Sequence, residues 1–131
     1  MNTHSTGAVL FTVNLRAIAN FYERVAGLRI VRTESDHIGL ELRAFRLTVH
    51  QIPERYAKTI GIKVPPVVRE MTAIKLAFQV DSISNSRTVA AKLGGCVYDA
   101  EREWTYEGMT VCDGYDPDGN VFQLFQVALS S

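Results

Sequence analysis

The stretch GAVLFTVNLRAIANFYERVAGL, residues 7–28, decides the fold, because KLAFQVDSISNSRTVAAKLGGC, residues 75–96, repeats its pattern. At an offset of 68 residues, Asn14 falls on Ser82, Leu15 on Ile83, Phe21 on Val89, Val25 on Leu93 and Gly27 on Gly95. Each copy opens with an apolar run that reads as a strand. Asn14 or Ser82 follows, both good residue types for a helix N-cap. Apolar residues then recur at helical spacing: Leu15, Ile18, Tyr22 and Val25 beside Phe21, and Ile83, Ala90 and Leu93 beside Val89. Glycine ends each helix, Gly27 in one copy and Gly94-Gly95 in the other, where a left-handed backbone is expected.

Working outward, three strands are expected after each helix. In copy one they lie near Leu28–Glu34, His37–Arg43 and Phe45–Ile52. In copy two they lie near Val97–Glu101, Met109–Tyr115 and Asn120–Val127. Asp116-Pro117-Asp118-Gly119-Asn120 is a strong turn, because proline presets one φ and Gly119 accepts a positive one. The chain thus reads as one α+β domain of two tandem β-α-β-β-β modules. Module one covers about residues 7–52, a linker residues 53–70, and module two about residues 72–127. The linker holds Gly61 and Pro65-Pro66 and is long enough to cover a site, with a short helical turn expected at Ala57–Ile60.

Composition narrows the function classes. The chain has 131 residues, 47% hydrophobic and 21% charged, which suits a globular domain with a real core. Lys+Arg and Asp+Glu are equal at 14 each, and no basic run occurs, so nucleic acid is not an expected partner. No apolar stretch is long enough for a membrane span and no signal pattern opens the chain, so a cytoplasmic location is the expectation. Cys96 and Cys112 have no CxxC spacing and read as small apolar strand residues.

These residues resemble the vicinal oxygen chelate superfamily, which includes glyoxalase I, bleomycin-resistance proteins and extradiol dioxygenases. The match rests on Asn14-Leu15 with Phe21-Tyr22, on Val25-Ala26-Gly27-Leu28, on Ala77-Phe78-Gln79-Val80-Asp81, and on the Asp116–Asn120 turn. It covers about residues 7–127. The resemblance implies a mixed sheet curled into a cup, a small-molecule ligand and a homodimer. It also implies a divalent metal such as Fe, Mn, Ni or Zn, held by one side chain from each module's first and last strand. Carried over one by one, those positions are Gly7, Lys75, Gln123 and His50, with Thr48 as the alternative to His50. Glycine has no side chain and an ammonium has no lone pair. The set therefore argues against the metal, and no cofactor is expected. His4 has the wrong strand parity to help, and His37 reads as a solvated turn residue.

Strand alternation puts Gly7, Val9 and Phe11, then Lys75, Ala77 and Gln79, inside the cup, joined by His50, Gln123 and Phe125. Trp104 and Tyr106 are expected in a rim loop. The expected ligand contacts are thus Phe11, Gln79, Trp104, Tyr106, Gln123 and Phe125. Lys75 reads either as a surface lysine or as an anion hook. His50 reads either as a structural histidine or as an acid/base group. Arg43 and Arg46 read as a solvated pair. The first functional reading is a metal-free small-molecule binder. The second is an atypical lyase, isomerase or dioxygenase using His50 and Lys75. The third is a non-catalytic partner module.

Overall fold

A computed structural model of the chain describes residues 6–57 and 66–128. Module one runs β1 (Thr6–Thr12), α1 (Leu15–Ala26), β2 (Arg29–Thr33), β3 (His37–Leu42) and β4 (Phe45–Gln51). A short helix α2 (Glu54–Ala57) follows. Module two runs β5 (Leu76–Gln79), α3 (Ile83–Lys92), β6 (Cys96–Val97), β7 (Trp104–Tyr106), β8 (Met109–Tyr115) and β9 (Val121–Val127). The first sheet has the order β1-β4-β3-β2 and the second β5-β9-β8-β6, with β7 also pairing β8. In both sheets the module's first strand lies parallel to its last, and the other pairings are antiparallel. This is the α+β architecture of two β-α-β-β-β-like modules that the repeat predicts, with β6 and β7 both pairing β8 where the repeat expects one strand.

Both helices lie together and bury the faces the periodicity marks. Leu15, Ile18, Phe21, Tyr22 and Val25 are all buried in α1, as are Ile83 and Ala90 in α3, with Val89 and Leu93 packed against them. Phe21, Tyr22, Phe78 and Phe122 form a chain of ring contacts between the modules. Each such side chain contributes about 1.5–3 kcal/mol by leaving water. The Ser86 hydroxyl donates to the Val25 carbonyl at 2.7 Å, which ties α3 to α1. Gly27 takes φ 76° and ends α1 as expected, and Gly94 takes φ 85° just after α3.

The two caps differ from each other. Ser82 accepts from the Asn85 amide, but the Asn14 side chain makes no cap and reaches Asp118 instead. In both modules a glutamine from the last strand accepts the helix's first amide: Gln51 from Leu15 at 3.3 Å and Gln126 from Ile83 at 2.8 Å.

Two expectations need correction. The strand placed at Val97–Glu101 ends at Val97, and Ala100–Arg102 form a turn of 3-10 helix. Ala, Glu and Arg are strong helix formers, and the Arg102 guanidinium stacks 3.9 Å over the Tyr98 ring. Trp104 and Tyr106 lie in strand β7 rather than a loop. Glu107 and Gly108, both with positive φ, join it to β8 in a two-residue hairpin. A short helix in the linker covers Glu54–Ala57 and so includes the first residue of the turn expected at Ala57–Ile60, whose residues 58–60 lie outside the described residues. Cys96 and Cys112 are free thiols in strands, as expected.

Candidate functional site

Each sheet packs one face on the helices and leaves the other open. On β1 the helix-facing Thr12 is buried, whereas Val9 and Phe11 on the open face are each 59% exposed. Strand register arranges the open face in rows, since directly paired residues share a face. On the first sheet the rows are Phe11–His50–His37, Val9–Thr48–Gly39 and Gly7–Arg46–Glu41. On the second they are Gln79–Phe125–Val111–Trp104 and Ala77–Gln123–Asp113.

Register also selects between the two readings of the fourth carried-over position. Gln123 pairs with Ala77, whose counterpart in the repeat is Val9, and Val9 pairs with Thr48. The helix-capping glutamines agree: Thr48 and Gln123 each stand three residues before one of them. His50 sits one row away, and its counterpart is Phe125. The first-and-last-strand positions are therefore Gly7, Thr48, Lys75 and Gln123.

Lys75 and Gln123 meet through a residue that the sequence reading did not single out. Asp113 on β8 binds the Lys75 ammonium at 2.9 Å and accepts from the Gln123 amide at 3.3 Å. Its pairing with Gln123 depends on the β8–β9 register, although the alternation of β8 does put it on the open face. A cavity of about 210 Å³ lies here, lined by Glu70, Lys75, Tyr98, Arg102, Asp113 and Val121.

A second cleft of about 270 Å³ lies between the β3–β4 turn and the open face of the second sheet. Phe45, Phe78 and Phe125 give it aromatic walls, and Arg43 and Gln79 supply polar groups. Arg43 is exposed, as expected, but its side chain does not stand free. It takes φ 54° in the hairpin turn, and its guanidinium donates to the side-chain Oε1 of Gln79 at 2.7 Å. Arg46 is not free either. It folds over Gly39, donates to Glu41 at 3.2 Å, and leaves its Nε buried without a partner. A side chain at position 39 would collide with that guanidinium.

Of the expected ligand contacts, Gln79, Phe125 and Trp104 share one row, and Tyr106 follows on the same hairpin. Phe11 lies on the other sheet beside His50, with ring centroids 5.7 Å apart. His50 and Lys75 are not brought together: His50 lines a cavity with Asp36 and Glu54, whereas Lys75 faces Asp113. His37 is not a solvated turn residue. It begins β3 directly opposite His50, and the two rings stack at 5.7 Å with planes 10° apart. His4 lies outside the described residues.

A family model for a glyoxalase-like domain matches residues 8–125. The chain belongs to the glyoxalase-like domain family. Among curated proteins there is no match to it. The same fold occurs in a glyoxalase/bleomycin resistance protein/dioxygenase family enzyme from Burkholderia phytofirmans, with TM-score 0.66 and 20% identity over 94% of this chain and 98% of that one. It also occurs in the fosfomycin resistance protein FosX from Mesorhizobium loti, with TM-score 0.62 and 18% identity over 98% of this chain and 95% of that one. A glyoxalase/bleomycin resistance protein from Albidiferax ferrireducens is similar, with TM-score 0.66 and 13% identity over 96% of this chain and all of that one. At these identities the likeness establishes the fold.

Proposed function

We propose that this glyoxalase-like protein binds a small, partly aromatic molecule on the open faces of its sheets, without a divalent metal at the position of the superfamily resemblance. The observation that carries the reading is the row register. It makes Thr48, rather than His50, the counterpart of Gln123, and with Gly7 and an Asp113-bound Lys75 at the other two carried-over positions the set offers only weak donors. The aromatic cleft with Arg43 and Gln79 at its mouth has the composition of a ligand pocket: apolar walls and a few convergent polar groups. A flat ring carrying a carboxylate or other acceptor suits it, since a guanidinium recognises such groups by paired hydrogen bonds. The test is a thermal-shift and calorimetric screen of aromatic acids and related compounds, run with chelator throughout. Binding that survives chelator and weakens in Phe125→Ala and Arg43→Ala is the expected result. Binding abolished by chelator, or no binding across the screen, overturns it.

The enzymatic reading keeps one supporting observation. His50 Nδ1 lies 2.9 Å from the Gln51 carbonyl and so donates to it, which leaves the Nε2 lone pair free to accept a proton. That reading also needs Lys75 on the same substrate, and the two residues line separate cavities of one chain. Turnover lost in His50→Ala with folding intact would support it.

A further inference from the structure

The row above the carried-over position holds a second group of donors. Asp36, His37 and His50 each present a ligand atom, and these atoms lie within 4.8 Å of one another. We propose that they bind a borderline transition-metal dication, of the class of Zn(II), Co(II) or Ni(II), at the rim of the first sheet.

The backbone sets this group in place. His37 and His50 are direct cross-strand partners on β3 and β4. Asp36 is anchored from both sides: its carbonyl accepts from the Gln51 amide at 2.8 Å, and the adjoining turn closes through the Glu34 amide on the His37 carbonyl at 2.9 Å. The Asp36 carboxylate reaches His37 Nδ1 at 2.8 Å and His50 Nε2 at 3.8 Å. Ligands about 2.1 Å from a tetrahedral zinc stand about 3.4 Å apart, so small side-chain rotations would convert these contacts into coordination. The Gln51 carbonyl holds the His50 Nδ1 proton and thereby aims the Nε2 lone pair at Asp36. A backbone acceptor on the far nitrogen is the usual support of a metal-bound imidazole.

The donor set selects the ion. Two neutral imidazoles and one carboxylate suit zinc, cobalt and nickel, whereas magnesium and calcium take oxygen ligands. The site opens on a cavity of about 500 Å³, which Glu54 of α2 also lines, so coordination positions remain for water or a ligand. It shares no residue with the set Gly7, Thr48, Lys75 and Gln123, and none with the cleft proposed above for the aromatic ligand.

The experiment titrates the full chain, stripped by chelator and dialysed, with Co(II) by visible absorption and with Zn(II) by calorimetry. One ion per chain and a cobalt d–d band are expected. His37→Ala and His50→Ala should each weaken binding roughly tenfold or more, since even a lost supporting partner costs a metal site that much. Thr48→Ala and Gln123→Ala should leave it unchanged. Circular dichroism checks that each variant folds, and His37→Gln provides a milder change should an alanine variant not fold. Absence of a band in excess cobalt overturns the proposal. So does a band that persists in both histidine variants, or one that is lost in Gln123→Ala. Chelator-resistant binding of an aromatic ligand neither requires nor excludes this site, so the two proposals fail independently.

Discussion

At the scale of single residues, the most constrained group is Asp116, in the turn that helped mark the family. It is fully buried, and its carboxylate accepts from the Tyr22 hydroxyl at 2.7 Å, from the amides of Asp118 and Asn120, and from the Asn120 side chain. Beside it the Thr12 hydroxyl donates to Asp118 at 2.6 Å. The turn is therefore a polar joint between the modules. Burial, with Asp116 beside it, keeps the Tyr22 phenol well above its usual pKa, so it stays a neutral donor. Tyr22→Phe should destabilise the protein by about 1–3 kcal/mol in urea unfolding, because a buried acceptor loses its partner. Burial also pushes the Asp116 carboxyl above its ordinary value of 3.8, against the opposing hydrogen bonds from Asn120 and Tyr22. The folded state then holds this proton to higher pH than the unfolded chain does. Stability from this group is present below 3.8 and is lost as pH rises through the higher folded value. In thermal melts, wild type should gain on Asp116→Asn as pH falls from neutral toward 4. A gap moving the other way would mean that the hydrogen bonds outweigh burial.

At the scale of elements, helix ends and turns were legible to different degrees. Gly27 and Gly119 both take positive φ, which their neighbouring residues suggest. Their surroundings differ in a way only packing reveals. A Cβ on Gly27 meets nothing, whereas one on Gly119 collides with the Val67 carbonyl of the linker. That linker segment is pinned to the turn by the Arg69 amide, which donates to the Gly119 carbonyl at 2.9 Å. Gly27→Ala should thus cost about 1–2 kcal/mol from backbone strain alone. Gly119→Ala should cost more and loosen the linker, visible as faster proteolysis after residue 65. Equal losses in the two variants would contradict this reading of the linker. The misplaced strand at Val97–Glu101 has a similar origin: local helix preference and an Arg102–Tyr98 stack outweighed an apparent strand register.

At the scale of the whole molecule, the two modules pack helix to helix, and no helix among the described residues is long and apolar enough to cross a membrane. The open faces keep large apolar side chains, Val9 and Phe11 on one sheet and Trp104 and Tyr106 on the other. A homodimer covering part of this surface is the expected assembly, with sedimentation at twice the chain mass. Phe11→Arg should shift it toward the monomer, while a wild-type monomer at micromolar concentration would contradict the expectation.

The sequence by itself determined the repeat, the module topology, both helix faces and the family. Apolar periodicity and glycine punctuation are local, and a copy at a fixed offset makes them self-checking. It also put a glycine and a lysine, Gly7 and Lys75, at the first-strand positions that the resemblance assigns to metal ligands. Only the tertiary structure decided between Thr48 and His50, because strand register depends on pairing, and a shift of two residues keeps the same face. For the same reason the contacts of Asp113, the stacking of His37 on His50 and the engagement of Arg43 had to be read from the fold. Each joins strands or turns distant in sequence, and no local pattern carries that information.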